Sequence, residues 1–239
     1  MFAALAASWH SSAMCGRFNV IDNPGLQQLL KDLGIDLNLP PAINVAPTES
    51  VRLVRNVTGK GALDSARWWL TPSWAPAVDQ KYAMFNARSE TLSRSRAFST
   101  PFKRQRGLVP MSSFIEWRKE GEGKQPYQFT PDSGALAVAA LWDIWEKGGQ
   151  PLLSCTLVTT QAATALEPWH SRMPVMLQRE EIPRWLDNSA VIVDGDPVFA
   201  PILKQPLHVQ PLDRAISRST NKSPSLLGGV GDSTVLAPG

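Results

Sequence analysis

The apolar positions change period along the chain. Between Asp22 and Gly34, leucines at 26, 29, 30 and 33 recur at the three- and four-residue spacing of one helix face. Asp22 or Asn23 can cap this helix, Pro24 suits its first turn and Gly34 can end it. From Val51 onward the apolar runs become short, which predicts strands over 51–57, 66–70, 107–110, 114–117, 127–130, 135–142 and 152–159. Gly/Pro/Asp clusters at 120–123 and 131–134 read as turns between them. Helical pieces are expected after Ala162 and over 180–186. Many short strands with few helices predict an α+β fold: a single domain with a curved, barrel-like, mostly antiparallel sheet flanked by short helices. There is no internal repeat and no glycine-rich phosphate loop.

The chain has 239 residues, 43% apolar and 19% charged. That suffices for one domain that buries its core without disulfide staples. Residues 1–14 carry neither caps nor periodicity and read as an N-terminal extension. The folded domain is expected over 15–216. In 217–239, eleven of 23 residues are Ser, Gly or Pro, so this stretch is expected to be a disordered tail. No run approaches the roughly 20 apolar residues of a membrane span. The apolar run Phe2–Ala7 is short and lacks a basic flank, so the expected location is cytoplasmic. Two cysteines, Cys15 and Cys155, and three histidines exclude a disulfide framework and a four-ligand zinc site, and no metal or cofactor is expected. Cys155 sits in an apolar strand and reads as core.

The net charge is only +3, but it is unevenly spread. Between residues 88 and 119 stand Arg88, Arg94, Arg96, Lys103, Arg104, Arg106, Arg118 and Lys119, opposed only by Glu90 and Glu116. Such a stretch fits either a solvated basic face or a phosphate backbone. Several of the nine tryptophans (Trp68, Trp69, Trp74, Trp117, Trp169) lie beside basic or turn residues. They can build core or stack on unpaired bases.

Four segments combine unusual residue types: Met14-Cys15-Gly16-Arg17-Phe18, Phe85-Asn86-Ala87-Arg88-Ser89-Glu90-Thr91, Ser113-Phe114-Ile115-Glu116-Trp117-Arg118, and His170-Ser171-Arg172-Met173-Pro174-Val175. With Asn44-Val45-Ala46-Pro47-Thr48, Pro72-Ser73-Trp74-Ala75, Ala140-Leu141-Trp142 and Thr159-Thr160, they resemble the SOS-response-associated peptidase family, also described as abasic-site processing proteins. The resemblance runs from about Cys15 to Ile216.

The resemblance implies recognition of abasic sites in single-stranded DNA within the DNA damage (SOS) response. Without an oligomer signal in the sequence a monomer is the default expectation, with association to the nucleoid expected on damage. The resemblance also implies a covalent crosslink through an N-terminal cysteine, with autopeptidase activity alongside; a Schiff base formed on the way would acidify the C2′ hydrogens, so abasic-site lyase activity is an expected side reaction. Catalytic roles then fall on Cys15, Asn86, Glu116 and His170. Arg17, Arg88 and Arg172 become candidates to clamp phosphates, and Trp68, Trp69 and Trp117 to stack on bases.

The chemistry explains the residue types. Ring opening of an abasic sugar exposes an aldehyde. A terminal cysteine offers an amine to attack it and a thiol to close a thiazolidine on the same carbon. Internally, its nitrogen is a non-nucleophilic amide. Here fourteen residues precede Cys15. Met14 is then the true start, or the extension is removed at Met14–Cys15, or it persists and blocks crosslinking. Two positions depart from the family pattern: Trp69 replaces a common glycine, and Ser113-Phe114-Ile115 replaces a glycine-aromatic pair. A rival reading is an N-terminal-nucleophile peptidase or amidohydrolase acting in trans; a further one is a non-catalytic single-stranded DNA binder.

Overall fold

The computed structural model describes residues 16–57 and 60–239. β1 (Arg17–Val20) leads into α1 (Pro24–Asp32). The Asn23 side chain accepts the Leu26 N–H at 3.0 Å and caps the helix. Leu26 and Leu30 are buried. Gly34, at φ 71°, turns the chain out of the helix through a left-handed conformation that glycine tolerates.

Then follow β2 (Ala42–Val45), β3 (Ser50–Val57), β4 (Lys60–Trp68), β5 (Asn86–Arg88), α2 (Ser99–Arg104), β6 (Arg106–Met111), β7 (Ser113–Glu120), β8 (Gly123–Pro131), β9 (Leu136–Trp145) and β10 (Leu152–Gln161). β11 (Arg172–Pro174), β12 (Met176–Leu177), α3 (Ile182–Leu186), β13 (Leu207–Pro211) and β14 (Thr234–Leu236) complete the order.

The expected barrel is present. β3, β4, β10, β9 and β6 pair in a closed ring, antiparallel except where β4 meets β10. β9 shows why: Leu136 to Leu141 are all buried, as befits a strand covered on both faces. A second, six-stranded sheet runs β14-β13-β8-β7-β1-β2. Its β7–β8 hairpin turns at Gly121, φ 57°. Phe18 of this sheet packs on Trp68 of the barrel, ring centroids 5.1 Å apart, and Phe114 stacks on Phe129 at 4.7 Å. The two sheets therefore share one core, and each buried aromatic contributes about 2–3 kcal/mol.

Two expectations are corrected. Residues 164–169 form successive turns rather than a helix. Pro168 lacks an N–H and disfavours a helical residue before it. Residues 217–239 are not a disordered tail. β14 adds to β13 with Leu207 opposite Leu236, and Leu236 is buried. Upstream, the buried Asn44 donates its side-chain amide to the carbonyls of Ile216, Arg218 and Asn221 at 2.8–3.0 Å. Lys222 reaches the Asn44 carbonyl and Glu49. Composition alone misses order that comes from long-range pairing. Among the described residues no helix is long and apolar enough to cross a membrane.

Candidate active site

β10 organises the site. Its first half lies between β4 and β9, whereas its last residues lie between β5 and β11. Leu157 stands opposite Asn86, and Thr159 stands opposite both Arg88 and Pro174. The Asn86 and His170 segments thus flank one strand end. Trp169 continues the link: its ring lies 6.0 Å from Tyr127 and 5.9 Å from Phe129 of β8. Tyr127 in turn pairs with Glu116 of β7. β1 runs beside β7 with Arg17 opposite Ile115 and Phe18 opposite Phe114. One more step of that register sets Gly16 opposite Glu116. Cys15, the next residue, lies outside the described residues.

Asn86 is half-buried, and neither its side-chain oxygen nor its nitrogen has a hydrogen-bond partner. Its backbone is fixed between β10 and Phe85, whose carbonyl accepts from Trp68 Nε1 and Leu157 N. A buried carboxamide left unpaired costs about 1–3 kcal/mol and calls for a ligand or a function. Glu116 is a buried carboxylate, 3% exposed. His170 Nδ1 accepts the Arg172 N–H at 3.0 Å, so the neutral ring carries its proton on Nε2. Burial, aided by the charges of Arg172 and Lys124, pushes its titration below the ordinary 6.5. A folded-state value below the unfolded one means that the neutral form is favoured. An NMR titration of the His170 ring is expected to give a midpoint below 6.5, with this residue's stabilising effect lost as pH falls toward that midpoint.

The three arginines fare differently. Arg17 is half-buried, its guanidinium 5.6 Å from the Trp117 ring centroid. Burial pulls its pKa down against the opposing charge of Glu49, and its Nε has no partner. It is a desolvated cation incompletely bonded. Arg88 is exposed. Arg172, expected as a phosphate clamp, is engaged within the protein. Its fork is already taken by Glu90, Nη1 to Oε1 at 2.8 Å and Nη2 to Oε2 at 3.0 Å. Partial burial raises the Glu90 carboxyl, but the hydrogen bonds and charge of Arg172 outweigh it and hold the group below its usual value.

The tryptophans also sort themselves. Trp68 is fully buried, so it is core and not a stacking platform. Trp69 is half-buried against Phe85, rings 5.3 Å apart, with its Nε1 unpartnered. Trp117 is half-buried and donates Nε1 to Ser217 Oγ at 3.0 Å. Trp74, which the sequence places beside turn residues but which is not among the three stacking candidates, is the exposed tryptophan among the described residues at 44%. Arg96 lies over its ring at 4.2 Å. The signal available was its place in a Pro-Ser-Trp turn, away from any alternating apolar run. In the basic stretch, Arg106 is buried and Arg118 pairs with Glu120, which leaves Arg88, Arg94, Arg96, Lys103, Arg104 and Lys119 exposed.

Beside β1, Asn44 and Thr48 have φ of 52° and 79°. For a β-branched threonine this is strained, at a cost of order 1–3 kcal/mol. Thr48 N bonding Trp68 O, and Trp68 N bonding Glu49 O, hold the segment in place. Cys155 is core as expected, its thiol pushed up to about 12 by burial and therefore inert.

Three comparisons bear on this arrangement. The chain is 32% identical over 227 residues to "Abasic site processing protein YoqW" of Bacillus subtilis, covering 90% of this chain and 99% of that one. It is 32% identical over 208 residues to "Abasic site processing protein YMR114C" of Saccharomyces cerevisiae, covering 73% of this chain and 55% of that one. A crystal structure of a Bacteroides thetaiotaomicron protein superposes with a TM-score of 0.69 at 20% identity, over 78% of this chain and 84% of that one, which is a likeness of fold. The sequence model described as "SOS response associated peptidase (SRAP)" matches residues 14–219, and the chain belongs to that family.

Proposed function

We propose that this chain processes abasic sites in single-stranded DNA by crosslinking to them through Cys15. The observation that carries the reading is the buried, unpartnered carboxamide of Asn86, with the half-desolvated Arg17 and the buried Glu116 on the strands next to Cys15. The peptide link keeps the Cys15 Cα within about 3.8 Å of that of Gly16, opposite Glu116 by register. Exposed Arg88, half-buried Trp69 and Trp117, and the Trp74–Arg96 pair supply cations and ring faces of the kind that single strands need. The relatives' printed names support the same substrate class.

The reaction balances without a cofactor. The Cys15 amine adds to the sugar aldehyde and expels one water to give a Schiff base. The thiol then adds across the C=N bond, and its proton ends on nitrogen. Glu116 moves protons between amine, thiol and sugar hydroxyl. Asn86 holds the ring-opened sugar by hydrogen bonds. The Nε2–H of His170 donates to sugar or phosphate oxygen. The Schiff base also acidifies the adjacent C2′ hydrogens, so loss of the 3′ phosphate is the accompanying lyase step.

The test is the intact mass of the protein after incubation with a single-stranded oligonucleotide carrying one abasic site. The expected species is the chain from Cys15 plus the oligonucleotide less one water. If neither the full chain nor one started at Met14 forms it, the reading is overturned and a peptidase acting in trans takes its place.

A further inference from the structure

We infer that Glu90 is a positioning residue: through its two-point ion pair with Arg172 it locks the Asn86 and His170 segments into one unit across the end of β10. This rests on the proposed crosslinking role of Asn86 and His170. Glu90 lies in the 3₁₀ turn Ser89–Thr91, which follows directly on β5. Arg172 begins β11 on the other side of β10. Between them the guanidinium makes two bonds to the Glu90 carboxylate and two more from Nη2 to Thr159, at 2.7 Å to its carbonyl and 3.1 Å to its hydroxyl. Thr159 Oγ1 donates onward to the Ala87 carbonyl, the residue after Asn86.

The same arginine holds His170 by its other end. The Arg172 N–H donates to His170 Nδ1, which fixes the proton on Nε2. One residue therefore sets both the tautomer of the histidine and, through Glu90, the distance to the asparagine. The geometry is of the bidentate kind that resists rotation, and the Arg172 side chain is 12% exposed against 40% for Glu90. An exposed ion pair is worth little in stability. Its worth here is orientation, which a reaction between fixed groups needs to within a fraction of an ångström.

The test is Glu90→Gln, which keeps the shape and removes the charge, with Glu90→Asp as the rescue. Three quantities are read on the full chain. They are the affinity for an unmodified single-stranded oligonucleotide, the adduct rate at saturating abasic oligonucleotide, and the His170 tautomer from the ring 15N shifts. For Glu90→Gln the adduct rate is expected to fall roughly tenfold to a hundredfold. The affinity stays unchanged and the single Nε2–H tautomer gives way to a mixture. Glu90→Asp is expected to restore the tautomer and part of the rate. The opposite pattern overturns the inference: tighter binding with an unchanged rate would mean that Glu90 merely competes with phosphate for Arg172. An unchanged tautomer in Glu90→Gln overturns it as well. If the parent chain forms no adduct, the proposed function fails, and the tautomer readout still decides the role of Glu90.

Discussion

Replacing Cys15 by alanine is expected to abolish the heat-stable adduct with abasic single-stranded DNA while leaving most of the affinity. The thiazolidine needs both the amine and the thiol on one carbon, and alanine supplies only the amine. The adduct rate is expected to fall by more than about a thousandfold, since Cys155 is the chain's one other cysteine. Cys155 cannot substitute, being fully buried with its thiol pushed up to about 12. In the proposed reading affinity comes from cations and ring faces that the substitution leaves alone, such as Arg17, Arg88 and Trp74, so binding is expected to change by less than about 1 kcal/mol. A trace of reducible Schiff base through the new terminal amine, trapped with borohydride, agrees with this account. A heat-stable adduct in the alanine variant, without reduction, would show that the thiol is not the closing group.

The largest loss of stability is expected at Arg106→Ala. This arginine is 1% exposed. Its guanidinium donates to the carbonyls of Trp185 at 2.8 Å, Phe102 at 2.9 Å and Ala190 at 3.0 Å, and to that of Asp187. It thereby satisfies the last turn of α2, the end of α3 and the loop after it, all from one strand of the barrel. Removing it leaves several buried carbonyls without donors and opens a void, together about 3–5 kcal/mol. For a domain of this size that lowers the melting temperature by about 10 °C. Arg106→Lys should recover little, because an ammonium offers its donors from a single nitrogen, whereas the guanidinium spreads them over the three nitrogens that reach these four carbonyls. A melting temperature within a few degrees of the parent in Arg106→Ala would refute the carbonyl-anchoring role. The residue thus leaves the basic surface on which its sequence neighbours lie.

Local signals read well from sequence where they were strong. The leucine spacing and Asn23 cap of α1, the apolar run of β9 and the turn at Gly121 all depend on residues close in the chain. Short strands did not read well. β1 and β5 have four and three residues, and their order comes from neighbours about 70 to 100 positions away. The site was legible as residue types but not as states. Adjacent Trp68 and Trp69 look alike on paper, yet β4 ends at the buried Trp68 and a bend at the next residue leaves the Trp69 ring only half-buried. Arg172 looked free because its partner, Glu90, is 82 residues upstream. The order of 217–239 was invisible because Asn44 and β13 impose it.

That clasp has a consequence for the timing of synthesis. Asn44 binds carbonyls 172 to 177 residues downstream, and Asn19, by accepting the Asn44 N–H, ties it to β1. Contacts of such separation close late, after most of the chain exists. In the proposed reading the nucleophile is made long before Ser217, which abuts Trp117. A growing chain would carry its cysteine, until residues 216–221 are made, without the Asn44 clasp that braces β1.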